Sequence, residues 1–247
     1  MVKAGPDLVP WRRRRHASIS RSHLLSDDPT MDFAEARNCM VDSQIRPNKV
    51  TDPRIITAMR QIPRERFVPA ERASLAYVDE DVPLAGGRVL IEPMVIARML
   101  QLTAVEAGER VLVVAAGTGY GAAILASCGA RVTALEEAAA LLAIARERLA
   151  EFAPSVSLVS GPLAAGWPSG APYDVVIIEG AVQTIPPQIG DQLHRETGRL
   201  VAICVGENGC GQAVLAEATA AGLRAQPMFD CATPLIPELI KTPGFVF

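Results

Sequence analysis

The sequence is poor in several kinds of feature, and each shortage closes off a class of function. No apolar run in its 247 residues approaches the roughly 18 that cross a bilayer, so a soluble protein is expected. The five cysteines, Cys39, Cys128, Cys204, Cys210 and Cys231, form no C-x-x-C pair, and metal-ligand spacing is absent. His16, His23 and His194 are too scattered to supply it. Thiols placed in this way are expected to stay reduced, as in a cytoplasmic protein. Nothing matches G-x-x-x-x-G-K-[ST], which argues against NTP hydrolysis. A dehydrogenase is disfavoured by the lack of an early substrate-binding histidine and of a Tyr-x-x-x-Lys pair.

Positive charge is scarce where a nucleic-acid surface would need it. Residues 1–30 carry a net +3, from Lys3, Arg12 to Arg15 and Arg21 against Asp7, Asp27 and Asp28. The formal total is −3, so the remainder holds −6, a poor surface for nucleic acid. The tail fits three readings: an Arg- and Ser-rich presequence, a flexible extension, or translation that starts at Met31, where patterned sequence begins. It lacks the apolar centre of a secretory signal.

What is present is patterned. Between Asp32 and Ile62, Phe33, Ala36, Met40 and Ile45 fall near one side of a helix. Thr51-Asp52-Pro53 starts another, with proline just inside it. Residues 31–107 are expected to form a helical and loop subdomain that ends in a helix from Pro93 to Leu102, with a turn at Gly86-Gly87. After Gly108, apolar runs at 110–115, 131–136, 156–161, 173–180, 199–206 and 225–230 alternate with helix candidates at 119–128, 138–152, 185–194 and 211–221. That rhythm predicts an α/β domain over 108–247, a doubly wound, mostly parallel sheet. Ligands in such sheets sit beyond the carboxyl ends of the strands. Residues 115–121, Glu136, Gly161 to Leu163 and Glu179 to Val182 therefore share one candidate rim.

The turn Gly117-Thr118-Gly119-Tyr120-Gly121-Ala122 can be written G-x-G-x-x-A, and Glu136 ends the next strand at about the distance of a ribose-binding acid. Both features suit an NAD protein as well as an S-adenosylmethionine (SAM) protein. Glu136 taken alone is equally well a solvated strand end.

The segment ahead of the sheet separates these. Met40-Val41, Gln44-Ile45, Asp52-Pro53-Arg54, Ala58-Met59, Pro63-Arg64, Phe67-Val68-Pro69, Ala76-Tyr77, Pro83-Leu84 and Pro93 resemble the N-terminal part of the protein-L-isoaspartate O-methyltransferase family. The likeness continues through "VLVVAAGTGYGAAILA", Glu136, "AGWPSGAPYDVVII", Ala181, Ile185-Pro186, Gln192-Leu193 and Gly198-Arg199-Leu200. It implies a class I SAM-dependent methyltransferase fold and an acceptor that is a free carboxylate on a damaged aspartyl residue of a protein. It also implies roles for particular residues. Ala115, Gly117, Thr118, Gly119 and Tyr120 correspond to the turn around the cofactor's methionine part, and Glu136 to the ribose-binding acid. Val89 to Pro93 correspond to the loop over the reacting centre. On this reading a Gly119→Val change fills cofactor space, and the tip of the first parallel strand opens on an adenosyl-sized cavity.

The chain departs from the family at four places. The acid of the first strand is Val113; the first glycine is Ala115, followed by Ala116; a Gly-Asp-Gly turn reads Gly161-Pro162-Leu163; and a Thr-Ile-Ser motif reads Val89-Leu90-Ile91, followed by Glu92. With both hydroxyls gone, Arg88 is a candidate bidentate carboxylate clamp, and Glu92 lies beside the expected acceptor. The plain alternatives are a solvent-facing loop charge for Arg88 and a dipole-compensating helix acid for Glu92. The resulting expectation is a carboxyl methyltransferase acting on L-isoaspartyl proteins. The alternatives are a SAM methyltransferase of another small substrate, with Glu92 or Glu179 as base, or a catalytically silent binding protein on the same fold.

Overall fold

A computed structural model describes residues 31–206, 209–220 and 222–240; the basic tail and its three readings lie outside them. Helix α1 (Phe33–Met40) starts at Asp32, whose carboxylate accepts from the backbone N–H groups of Ala34 and Glu35 at 2.9 and 3.1 Å. A capping oxygen there satisfies donors that have no partner within the helix. One π turn and one 3-10 turn follow before α2 (Pro53–Gln61), capped by Asp52 with proline at its first position. A two-stranded ribbon, β1 (Val82–Pro83) and β2 (Val89–Leu90), encloses the Gly86-Gly87 turn and leads into α3 (Pro93–Leu102).

The sheet begins with β3 (Arg110–Val114), and α4 (Tyr120–Ser127), β4 (Arg131–Glu136), α5 (Ala139–Phe152) and β5 (Ser157–Ser160) follow. Then come β6 (Val175–Val182), α6 (Pro187–Gly190), β7 (Arg199–Val205), β8 (Gly211–Thr219) and β9 (Gly222–Cys231). The order across the sheet is β5-β4-β3-β6-β7-β8-β9, parallel from β5 to β7 and antiparallel over the last two pairings. Strand order reverses at β3, and this is the crevice where an open α/β sheet binds ligands. Side chains alternate across the strand. Val111 and Val113 of β3 enter one apolar core with Ile55, Val95 and Leu149, while Leu112 and Val114 enter a second with Leu163, Tyr173 and Leu193. The first core runs without interruption from Met40 to Ala213, so the N-terminal helices and the sheet share it.

Two expected helices are corrected. Within the alanine-rich stretch 211–221, read as a helix, residues 211–219 form strand β8, which pairs with β7 from Arg199↔Glu217 to Val205↔Gly211 and with β9 on its other edge. Helix propensity is a weak prior, and here a strand is needed to cover the β7 edge, whose Val201 and Ile203 are fully buried. The candidate at 185–194 shrinks to the single turn of α6, because Pro186 and Pro187 admit a helix start and Gln192 closes the segment onto the loop carbonyl of Ala165.

One buried cation ties the N-terminal part to the rim. Arg64 is fully buried; its Nε donates to the Ala76 carbonyl and its Nη2 to the Ile91 carbonyl, both at 2.6 Å. Its guanidinium carbon lies 5.0 Å from the Tyr120 ring centroid. The loop before α3 is thus pinned to the first residue of α4. Changing Arg64 to Met strips both carbonyls of their donor and is expected to lower stability by about 3 kcal/mol or more, measured as a fall in the urea midpoint with unchanged slope.

Candidate active site

The rim is organised by a carboxylate. Glu136, the last residue of β4, is fully buried, and three backbone donors converge on it: Gly117 N at 2.8 Å on Oε2, Glu137 N and Ala138 N at 2.9 Å on Oε1. To present the Gly117 N–H, the chain leaves β3 through left-handed backbone at Ala115 (φ 60°), Gly117 (φ 58°) and Gly119 (φ 95°). Ala115 adopts this conformation without the steric freedom of the family's glycine, at a cost of roughly 1–2 kcal/mol.

The remaining turn residues face inward. Thr118 donates its hydroxyl to the Phe67 carbonyl at 2.7 Å and is buried. The Tyr120 ring packs edge-on to Phe67 with centroids 5.3 Å apart. Gly119 faces α5 rather than open space: a Cβ placed there would lie 2.9 Å from Leu149 Cγ. Gly117 looks toward Leu84, 3.8 Å away.

Arg88 is neither a solvent-facing charge nor free to clamp an acceptor. It is buried; Nη1 donates to both Glu136 oxygens, at 3.2 and 3.3 Å, and Nη2 to the Ala115 carbonyl at 2.7 Å. Glu136 thereby has its acceptor capacity filled. The loop carrying Arg88 is held by Leu84 N to Arg88 O at 2.8 Å and turns through Gly86 (φ 68°) and Gly87 (φ 76°).

Glu179, near the end of β6, faces the turn from the other side. Ile178 is level with Val114 of β3, so Glu179 emerges beside Ala115. Its carboxylate rests on α4 so closely that a Cβ at Gly121 would sit 1.8 Å from Oε1. That Oε1 is buried without a hydrogen-bond partner. Burial pushes the Glu179 carboxyl up to about 8, with the Arg88 guanidinium pulling it back and Glu136 adding to the rise.

Glu92 lies at the N-cap position of α3, but its side chain makes no capping bond. Its backbone N–H donates to Asp81 at 2.7 Å. Burial, then the charges of Asp79 and Asp81, raises its carboxyl to about 7. It lines neither of the small cavities described below. The missing Gly-Asp-Gly acid is replaced by the exposed Pro162, while the next residue, Leu163, is buried and its N–H donates to Glu137 Oε2 at 3.0 Å.

An apolar, proline-rich segment near the C-terminal end of the described residues closes the rim, in keeping with a stretch that packs against the sheet. Residues 234–238 run beside β6: Ile236 N donates to Ala181 O at 2.8 Å and Ala181 N to Pro234 O at 3.3 Å. Upstream, the Thr233 hydroxyl donates to Asp81 at 2.6 Å. Ile236 is buried against Gly180, where a Cβ would come within 2.5 Å of its Cγ1, and Glu238 reaches to 3.8 Å from Arg88. No local pattern marks Ile236 or Glu238, because the role comes from a chain return to a strand far earlier in sequence.

The space left under this cover is small. Beneath the turn, among Leu84, Val89, Tyr120 and Glu179, it measures about 10 Å³, and a second gap by Arg88 and Ile236 is equally small. Each is room for about one water. A nucleoside cofactor needs hundreds of Å³, by the usual size of ligand sites, roughly 300 Å³ and up. Neither of these two gaps admits an adenosyl group, and Arg88 and the covering segment lie over the turn that leads to Glu136.

Two changes probe this geometry. Gly119→Val drives branched carbons into Leu149 at a left-handed residue, so it is expected to cost about 2–4 kcal/mol of stability, read by chemical denaturation. Its effect falls on folding before any ligand is added. Glu179→Gln removes a carboxyl whose folded value, about 8, exceeds its ordinary one. Such a group contributes stability below its ordinary value and loses that contribution as pH rises through about 8. The Gln variant is therefore expected to melt ~5 °C or more above the parent at about pH 9, with the two curves converging near pH 5.

Comparison with known proteins agrees with this architecture. The family model described as Protein-L-isoaspartate(D-aspartate) O-methyltransferase (PCMT) matches residues 35–227. A protein-L-isoaspartate O-methyltransferase of Methylorubrum extorquens is 44% identical over 188 residues, 76% of this chain and 81% of that protein. A solved protein-L-isoaspartate O-methyltransferase superposes with TM-score 0.70 at 23% identity, covering 82% of this chain and 67% of that one. A Plasmodium falciparum structure titled as such an enzyme in complex with S-adenosyl-L-homocysteine gives TM-score 0.68 at 15% identity, over 82% of this chain and 98% of that one. These two structures speak to the fold, a class I methyltransferase sheet. The family match and the relative's identity settle membership: the chain belongs to the protein-L-isoaspartate O-methyltransferase family.

Proposed function

We propose that the chain is a SAM-dependent methyltransferase whose acceptor is the free carboxylate of L-isoaspartyl residues in damaged proteins. The observation that carries this reading is the family match over residues 35–227, which takes in the N-terminal helices as well as the sheet. The chemistry asks little of acid or base groups, since a carboxylate is already ionised near pH 7. What the protein must supply is alignment of the two reacting atoms and exclusion of water. The end of β2 with the residue after it, and the 234–238 segment, exclude water in the closed form, with Leu90, Ile91 and Ile236 buried.

Within the expected binding set we assign direct cofactor contact to Gly117 and Glu136. Thr118, Gly119 and Tyr120 hold the shape of the turn through Phe67 and Leu149, and Ala115 supplies the carbonyl that anchors Arg88. Glu92 and the neighbouring Asp79 and Asp81 keep the α3 end of the rim acidic. A cytoplasmic location is our reading of the cysteine pattern, which offers no C-x-x-C pair. No helix among the described residues is long and apolar enough to cross a membrane.

Incubation with methyl-labelled SAM and an L-isoaspartyl peptide is expected to yield a base-labile methyl ester, with no label on the matching aspartyl peptide. Absence of label on both peptides at all substrate concentrations and at pH 6 to 8 overturns the reading.

A further inference from the structure

We propose that Arg88 is an internal occupant of the nucleoside seat: its guanidinium holds the ribose-binding acid Glu136, and an incoming nucleoside must displace it. The inference rests on the proposed methyltransferase reading and accounts for the closed rim of a protein in that family.

The geometry is that of a ligand's contacts made by the chain itself. A ribose offers two hydroxyl donors to a strand-end carboxylate; Arg88 offers Nη1 to both Glu136 oxygens at 3.2 and 3.3 Å. Its second nitrogen takes the Ala115 carbonyl at 2.7 Å, at the tip of β3 where the cofactor turn begins. The other Glu136 bonds come from three backbone N–H groups, that of Gly117 in the turn and those of Glu137 and Ala138 just beyond β4. Arg88 is thus the one Glu136 partner that can leave without dismantling the turn.

Its surroundings permit such a departure. Two adjacent residues of the loop, Gly86 and Gly87, are in left-handed backbone, which lets the chain turn sharply just ahead of Arg88 and β2. Gly87 lies against Pro237 of the covering segment, whose ring carbon would be 3.4 Å from an added Cβ. The covering segment itself is held by two backbone bonds to Ala181, the Thr233 to Asp81 bond and the Ile236 side chain. Loop and segment therefore open as one cover. Charge favours return in the absence of ligand, because Arg88 faces Glu136 and, at 3.8 Å, Glu238.

Calorimetric titration with S-adenosyl-L-homocysteine tests the proposal, on the parent chain and on Arg88→Ala. The variant is expected to bind at least tenfold more tightly than the parent, since it no longer expels its own side chain. Hydrogen exchange on the parent chain supplies a second readout that needs no variant. S-Adenosyl-L-homocysteine is expected to speed exchange at residues 84–88, where the Leu84 and Arg88 bonds are released, while slowing it at 115–121. A variant that binds no better than the parent overturns the inference, as does slowed exchange at 84–88; if the parent binds in either case, the methyltransferase reading survives. If neither chain binds although both unfold cooperatively, the cofactor reading fails together with the inference.

Discussion

A carboxylate with no access to water governs this structure. Glu136 sits at the end of β4 with zero exposure, and an ionised group there is tolerable only if donors surround it. The chain meets that demand with Gly117, Glu137 and Ala138 from the backbone and Arg88 from a distant loop. Each donor constrains something larger. The Gly117 bond fixes the exit from β3 and so the start of α4. The Arg88 pair fixes the β1–β2 loop over the same place, and Arg64 locks the far end of that loop by holding the Ile91 carbonyl. One of these four donors, Arg88, comes from a loop that precedes the sheet in sequence.

The departures from the family pattern form one coherent rearrangement. Losing the acid at Val113 leaves β3 wholly apolar at its centre, and Val113 is fully buried. The acid reappears one strand over: β6 is in register with β3, and Glu179 follows Ile178, the partner of Val114. Losing the hydroxyls at Val89 and Ile91 makes the loop apolar enough to bury, and Leu90 and Ile91 are buried. An apolar loop can then carry Arg88 inward, where the Glu136 carboxylate holds it. Polar groups have been removed from the loop and gathered onto one guanidinium.

The parts of this picture that were legible in the sequence are those decided by neighbours in the chain. The strand 131–136 and the helix Pro93–Leu102 match residue for residue, because apolar periodicity and a proline at the first turn are local signals. The α4 and α5 boundaries fall within a residue or so for the same reason. Residues 211–219 were misread as helix because alanine propensity is local, whereas the need to cover the β7 edge is not. The site divides along the same line. Glu136 and the small-residue turn follow from the strand-turn-helix rhythm. The partner of Arg88, the inward aim of Thr118 and Gly119, and the covering role of Ile236 depend on contacts between segments tens of residues apart or more, for which no spacing rule exists.

A closed seat does not contradict a binding fold; it changes the arithmetic of binding. A ligand that binds only the open form sees its affinity divided by the fraction of molecules open at rest. If cover and guanidinium favour closure by about 2.8 kcal/mol, affinity falls roughly a hundredfold. The contacts seen here are of the right kind for such a bias: one buried ion pair, a few backbone bonds and one buried isoleucine. They are too few to weld the cover to the body, since β3 and β6 beneath pair in register from Val111↔Val175 to Val114↔Ile178 while the segment at 234–238 makes two backbone bonds to β6. The same guanidinium that excludes a ligand also keeps Glu136 neutralised when the seat is empty, so the turn stays formed and ready. An acid without an internal partner would instead need water or a rearranged loop whenever ligand departed, and would lose the preorganisation on which alignment of reacting atoms depends.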